Sequence, residues 1–126
     1  MKAYTDIEQS KKLAEILPIE SADHHYVRKV TDFMGNTVDG KWSHPKYGNP
    51  NSKYANYIVQ NFISYEKLPC WSLSALLDYL SPNFLIDIKN INDKWELDCR
   101  FKVIKEEELV DSCYRIILKL KEKKLL

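Results

Sequence analysis

Apolar positions recur along this chain with two different periods, and those periods predict its elements. From Asp6 to Leu17, the residues Ile7, Leu13, Ala14, Ile16 and Leu17 fall on one stripe of a helix. Thr5 and Glu8 stand three apart and read as a capping box, in which hydroxyl and carboxylate each take a free N–H. Pro18 ends the run, because it cannot continue a helix without losing a hydrogen bond. A second helix follows Ser72, a good N-cap, with Leu73, Leu76, Leu77 and Leu80 at i, i+3, i+4 and i+7. Trp71 and Leu76 stand where a hydrophobic staple requires them, and Ser81-Pro82 close the element. The last stripe is Leu109, Val110, Cys113, Ile116, Ile117 and Leu120, within a helix from about Glu106 to Lys123. Glu106 and Glu107 then lie at its positive end, and Lys121, Lys123 and Lys124 at its negative end.

The period of two appears elsewhere. His25 to Val30 is rich in β-branched and aromatic residues and reads as a strand. Phe84 to Lys89 reads as a strand with Phe84, Ile86 and Ile88 on one face, and Asn90 to Asp93 as the turn after it. Trp95, Leu97, Cys99, Phe101 and Val103 then alternate with Glu96, Asp98, Arg100 and Lys102, the mark of a return strand with one buried and one wet face. Residues 31–56 carry Gly35-Asn36, Asp39-Gly40, Pro45, Gly48-Asn49-Pro50 and Asn51-Ser52 and read as one long loop, with an extended stretch over 57–63. The predicted order is α-β-loop-(β)-α-β-β-α. It implies an α+β, two-layer fold: a small antiparallel sheet, the C-terminal hairpin plus one or two further strands, packed by about three helices.

With 126 residues the chain suits a single domain, 1–126, able to bury roughly two thirds of its unfolded surface. The 44% apolar and 29% charged residues argue against disorder. Lys and Arg number 19 against 18 Asp and Glu, so no basic excess asks for duplex nucleic acid. Cys70, Cys99 and Cys113 are odd in number, widely spaced and free of CxxC pairs. They predict reduced thiols in a cytoplasmic protein and support neither a disulfide framework nor a zinc knuckle. Met1 to Asp6 lacks the apolar core of a signal peptide, and no run approaches the ~18 apolar residues of a membrane span.

Three groups are candidates for chemistry. Asp23-His24-His25 and His44, with Cys70, could supply a metal site, but neighbours on a strand point to opposite faces, and the plainer reading is a loop and a strand start. Cys70 and Ser72 lie at a helix N-terminus, where the dipole would lower a thiol pKa. Yet Ser72 already has the role of a cap, Cys70 sits between Pro69 and Trp71, and no nucleophile motif is present. Cys99 and Cys113 fall on core stripes. Gly35, Gly40 and Gly48 form no phosphate-binding spacing. No catalytic, cofactor-binding or metal-ligating residue is therefore assigned.

The third group is the loop. Lys41, Trp42, His44, Lys46, Tyr47, Lys53, Tyr54 and Tyr57 interleave aromatic anchors with cations. Such residues can form a protein-binding patch, stack on single-stranded bases between phosphate contacts, or simply fold back over the sheet.

Three stretches resemble small uncharacterised proteins encoded by Bacteroides-type phages, prophages and related mobile elements: residues 10–18 (SKKLAEILP), 69–77 (PCWSLSALL) and 110–120 (VDSCYRIILKL). They are caps and core residues of the three helices, so the resemblance implies a shared fold and no particular chemistry. It also implies an accessory role acting on a host factor or a phage partner. The expectation is a non-enzymatic protein-binding module without cofactor. Single-stranded nucleic-acid binding through the loop is the alternative, and a small Cys/His-dependent enzyme ranks last. A homodimer through a sheet edge or a helix is a further expectation, since small sheets leave edges to cover.

Overall fold

A computed structural model describes residues 2–50, 63–82, 84–99 and 102–126. Among these described residues, three α-helices and six strands follow in the order α1 (Ile7–Ala14), β1 (His24–Thr31), β2 (Lys46–Tyr47), β3 (Ser64–Cys70), α2 (Leu73–Leu80), β4 (Ile86–Ile91), β5 (Lys94–Cys99), β6 (Lys102–Glu106) and α3 (Leu109–Glu122). This is the small α+β fold that the periodicities imply. The strands divide between two three-stranded antiparallel sheets, β2-β1-β3 and β4-β5-β6.

The stripe of α3 is buried throughout and that of α2 in large part, whereas in α1 Ala14 is exposed and Leu17 is buried beyond the helix end. Leu13 and Leu17 join Leu76 and Leu80 of α2 and the six apolar positions of α3 in one core. Leu97, Cys99 and Ile104 of the second sheet close it. Trp71 and Leu76 are fully buried on either side of the α2 cap, and Ser72 Oγ accepts the Ala75 amide as expected.

The caps of the other helices differ from expectation. In α1 the capping box is one residue later: the Asp6 carboxylate accepts the Gln9 amide, and the Gln9 side-chain oxygen accepts the Asp6 amide. Thr5 is excluded because it is buried, with its hydroxyl against Ser10 Oγ and Cys70 Sγ and accepting the Trp71 amide. The helix ends at Ala14, ahead of a 3₁₀ turn over Ile19–Ser21. In α3, Glu106 belongs to β6, and the first-turn acid is Asp111.

The extended reading of 57–63 lies outside the described residues up to 62. The strand that pairs with β1 is Ser64–Cys70, a segment the sequence pattern left unassigned. Its Glu66, Lys67 and Pro69 disguise it, and Pro69 is tolerated because β3 is an edge of its sheet.

The single return strand Trp95–Val103 is also corrected. β5 ends at Cys99, and β6 runs back with Lys102 facing Cys99 and Ile104 facing Leu97. Facing residues share a side, so the odd-numbered inward set of β5 continues as an even-numbered set in β6. Ile104 is accordingly 7% exposed and Val103 45%. The β4–β5 hairpin turns through Asn92 and Asp93, both with positive φ, the backbone that a two-residue turn between twisted strands demands.

Candidate functional site

The described part of the long loop, 31–50, is no free excursion. Its first half closes on itself: Thr31 bridges Thr37, and the Asp32 carboxylate accepts the amides of Met34 and Asn36. The chain then runs back along β1, with the Val38 amide donating to the Val30 carbonyl and the Ser43 amide to the Val27 carbonyl. Gly40 allows the approach, since a Cβ there would lie 2.3 Å from the Lys29 carbonyl oxygen. β2 completes the docking, with Lys46 opposite His25 and Tyr47 opposite His24.

Gly48 fastens the end. Its φ of 120° suits glycine, its amide donates to the Asp23 carbonyl, and its carbonyl lies 2.8 Å from His25 Nδ1. Asn49 donates to the carbonyls of Ile19 and Ala22. The turn-forming residues thus act as anchors.

On this frame stands an aromatic stack. The His24 ring lies 4.7 Å from Tyr4 and meets Tyr47 edge-on at 5.5 Å and 89°. His24 Nδ1 is 2.9 Å from Asp23 Oδ1, though out of line for a hydrogen bond. Asp23 is the hub: it also accepts the Ser72 amide and hydroxyl, tying β1 to the start of α2. Burial pushes its carboxyl up, but the two hydrogen bonds from Ser72, together with the electrostatic pull of the adjacent His24 ring, outweigh burial and hold its pKa below the usual value. Tyr47, at the end of the stack, is 84% exposed. Its ring touches His24 edge-on and is otherwise offered to solvent.

Of the other sequence candidates, Lys41, His44 and Lys46 are exposed. Trp42 is half-buried, with the Arg28 guanidinium 4.9 Å from its ring centre. Arg28 in turn pairs with Glu66 across β1 and β3. Lys53, Tyr54 and Tyr57 lie outside the described residues. Sequence reasoning placed Asp23 as a metal candidate and His24 as a metal candidate or, like His44, a partner for Cys70 in a Cys–His pair, and did not single out Tyr4, Arg28 or Glu66. Only the strand parity of His24, Tyr26 and Arg28 hints at the shared face.

The chemical candidates separate. His24 and His25 point to opposite faces, and no cluster of three metal-ligating side chains occurs among the described residues. Ser72 and His24 both address Asp23, so no imidazole stands between hydroxyl and carboxylate as nucleophile activation needs. Cys70 is fully buried. Burial raises its thiol pKa despite bonds with Thr5, Tyr26 and Ser10. Cys113 is pushed by burial to about 12. The apolar-thiol reading of Cys99 and Cys113 agrees with their burial in the core.

No helix among the described residues is long and apolar enough to cross a membrane. No protein-family model, no curated protein and no solved structure matches this chain.

Proposed function

We propose that this chain is a protein-binding module whose contact face is built on β2 and the start of β1, with Tyr47 as its central anchor. One observation carries the reading: a large aromatic side chain, 84% exposed, stands edge-on to the His24 ring, which itself lies against Tyr4. A pre-positioned tyrosine loses little freedom on binding and buries much area, which is why such residues dominate interfaces. Lys41 and His44, in the segment leading into β2, add exposed polar groups, while Lys46 points to the opposite face with His25. Protein contact is favoured over single-stranded nucleic acid because one face of Trp42 is already taken by Arg28, leaving less ring for a base to stack on. The resemblance to mobile-element proteins adds the expectation of an accessory role directed at a host factor or a phage partner.

The test is affinity capture from the cells that encode the chain, with the wild type and Tyr47→Ala side by side. Removing an anchor costs about 2 kcal/mol, roughly thirtyfold in affinity. The reading expects a protein that the wild type recovers reproducibly, that nuclease does not release, and that the variant loses. Equal recovery by both chains, or recovery of nuclease-sensitive material alone, would contradict it.

A further inference from the structure

β4 is an open edge of the second sheet: it pairs with β5 on one side and with no strand among the described residues on the other. Exposed edges are usually blunted by proline, a bulge, short length, an inward charge or charged side chains on the edge itself. Of these β4 shows only the outward charges of Asp87 and Lys89, which are opposite in sign. It is six residues long with an unbroken register against β5, and its inward side carries Ile86 and Ile88, both only partly buried. Leu85, just before the strand, is 78% exposed, and Ile91 at its end is 48% exposed.

We propose that the β4 edge is a self-association surface, on which β4 of a second copy pairs antiparallel with Ile88 opposite its own counterpart. The occupant follows from the order of side chains. A two-fold axis perpendicular to a sheet must pass where a residue faces its own copy. An axis at position 87 sets two carboxylates together, and one at position 89 sets two ammonium groups together, both unfavourable. An axis at 88 joins Ile88 to Ile88 on the inward side. On the outward side it sets Asp87 opposite Lys89 and Leu85 opposite Ile91, each twice by symmetry. Asp87 and Lys89 share that outward side within one chain, 3.6 Å apart. Asp87 also faces Asp98 across the β4–β5 pairing, a like-charge pair beside which a Lys89 from the second copy would add a further cation. The product is a continuous six-stranded sheet, and it leaves the Tyr47 face untouched.

Light scattering and sedimentation of the full chain test this with two outward-facing, solvent-exposed substitutions whose folding is checked by circular dichroism. The native protein is expected at twice its 14.9 kDa chain mass. Lys89→Glu and Asp87→Lys each oppose like charges twice and should weaken the dimer about tenfold or more. Mixing the two variants restores opposite charges at both pairs, so a dimer of mixed composition should reappear. A native protein that stays monomeric at high micromolar concentration overturns the proposal, as does a native dimer that neither substitution weakens.

Discussion

A cysteine beside a helix N-terminus and a histidine in a loop look alike in a sequence whether or not they can react. Burial separates the cases. Cys70 sits where a helix field would favour a thiolate, but it is sealed beneath Thr5 and Ser10, and a thiolate there would lose its hydration. His25 is the more informative residue. It is 1% exposed, one ring nitrogen meets the Gly48 carbonyl, and the other has no hydrogen-bond partner among the described residues. Burial lowers its pKa below 6.5, the Gly48 bond opposes this, and the charges of Lys67, Lys46 and His24 add to the lowering. The folded state therefore binds its proton less readily than the unfolded chain. Stability from this site is fully present above pH 6.5 and is lost as the pH falls through that value toward the lowered one. Urea denaturation at about pH 7 and about pH 5 should show the loss. His25→Asn keeps an N–H for the carbonyl but has no ring to titrate, so its acid loss should be smaller. An identical loss in both chains would remove His25 from the account.

At the scale of elements, the sequence was legible wherever one face alone is buried. α2 and α3 follow their leucine and isoleucine stripes, and β4 and the first half of the return strand follow their alternation. Where the signal failed, a physical cause can be named. The alternation from Trp95 to Val103 holds no mark of the reversal, because only the parity of Ile104 records it and Val103 is an apolar residue on the wet side. β3 was hidden because an edge strand needs no continuous apolar face, so Glu66 can serve Arg28 instead. The α1 cap was misread because two adjacent residues, Thr5 and Asp6, both suit an N-cap, and only tertiary burial of Thr5 decides between them. That choice is measurable. Asp6→Ala should cost about 1 kcal/mol, whereas Glu8→Ala, an exposed side chain outside the cap, should stay within about 0.5 kcal/mol of the wild type. The reverse order would restore the Thr5–Glu8 box.

Across the whole molecule, long-range ties join what the periodicities describe separately. The Lys2 ammonium meets Asp111 at 2.7 Å and Gln9 at 2.9 Å, while the Lys2 amide donates to Glu108, so the first residues lock α1 to the start of α3. The Trp71 indole reaches Ser21, and Asp23 binds the α2 cap, which ties the first sheet to the helices. Composition and pattern specify none of these pairings, nor the division of strands into two sheets, because each joins residues far apart in sequence. The same holds for the candidate site. Turn-formers from Gly40 to Asn49 read as a loose loop, yet Gly40 lies against Lys29, and Gly48 and Asn49 bind carbonyls beside β1.

The central claim is that this segment is docked, and that the docking aims Tyr47. Amide hydrogen exchange of the free protein, read residue by residue by NMR, tests it most directly. The Val38, Ser43 and Gly48 amides, each bonded to a carbonyl of β1 or its lead-in, should exchange more slowly than the Met34 and Gly35 amides, whose bonds to Asp32 are local to an exposed turn, and the Tyr47 and His24 rings should show a mutual NOE. Unprotected amides throughout 38–48, with no contact between the two rings, would contradict the account.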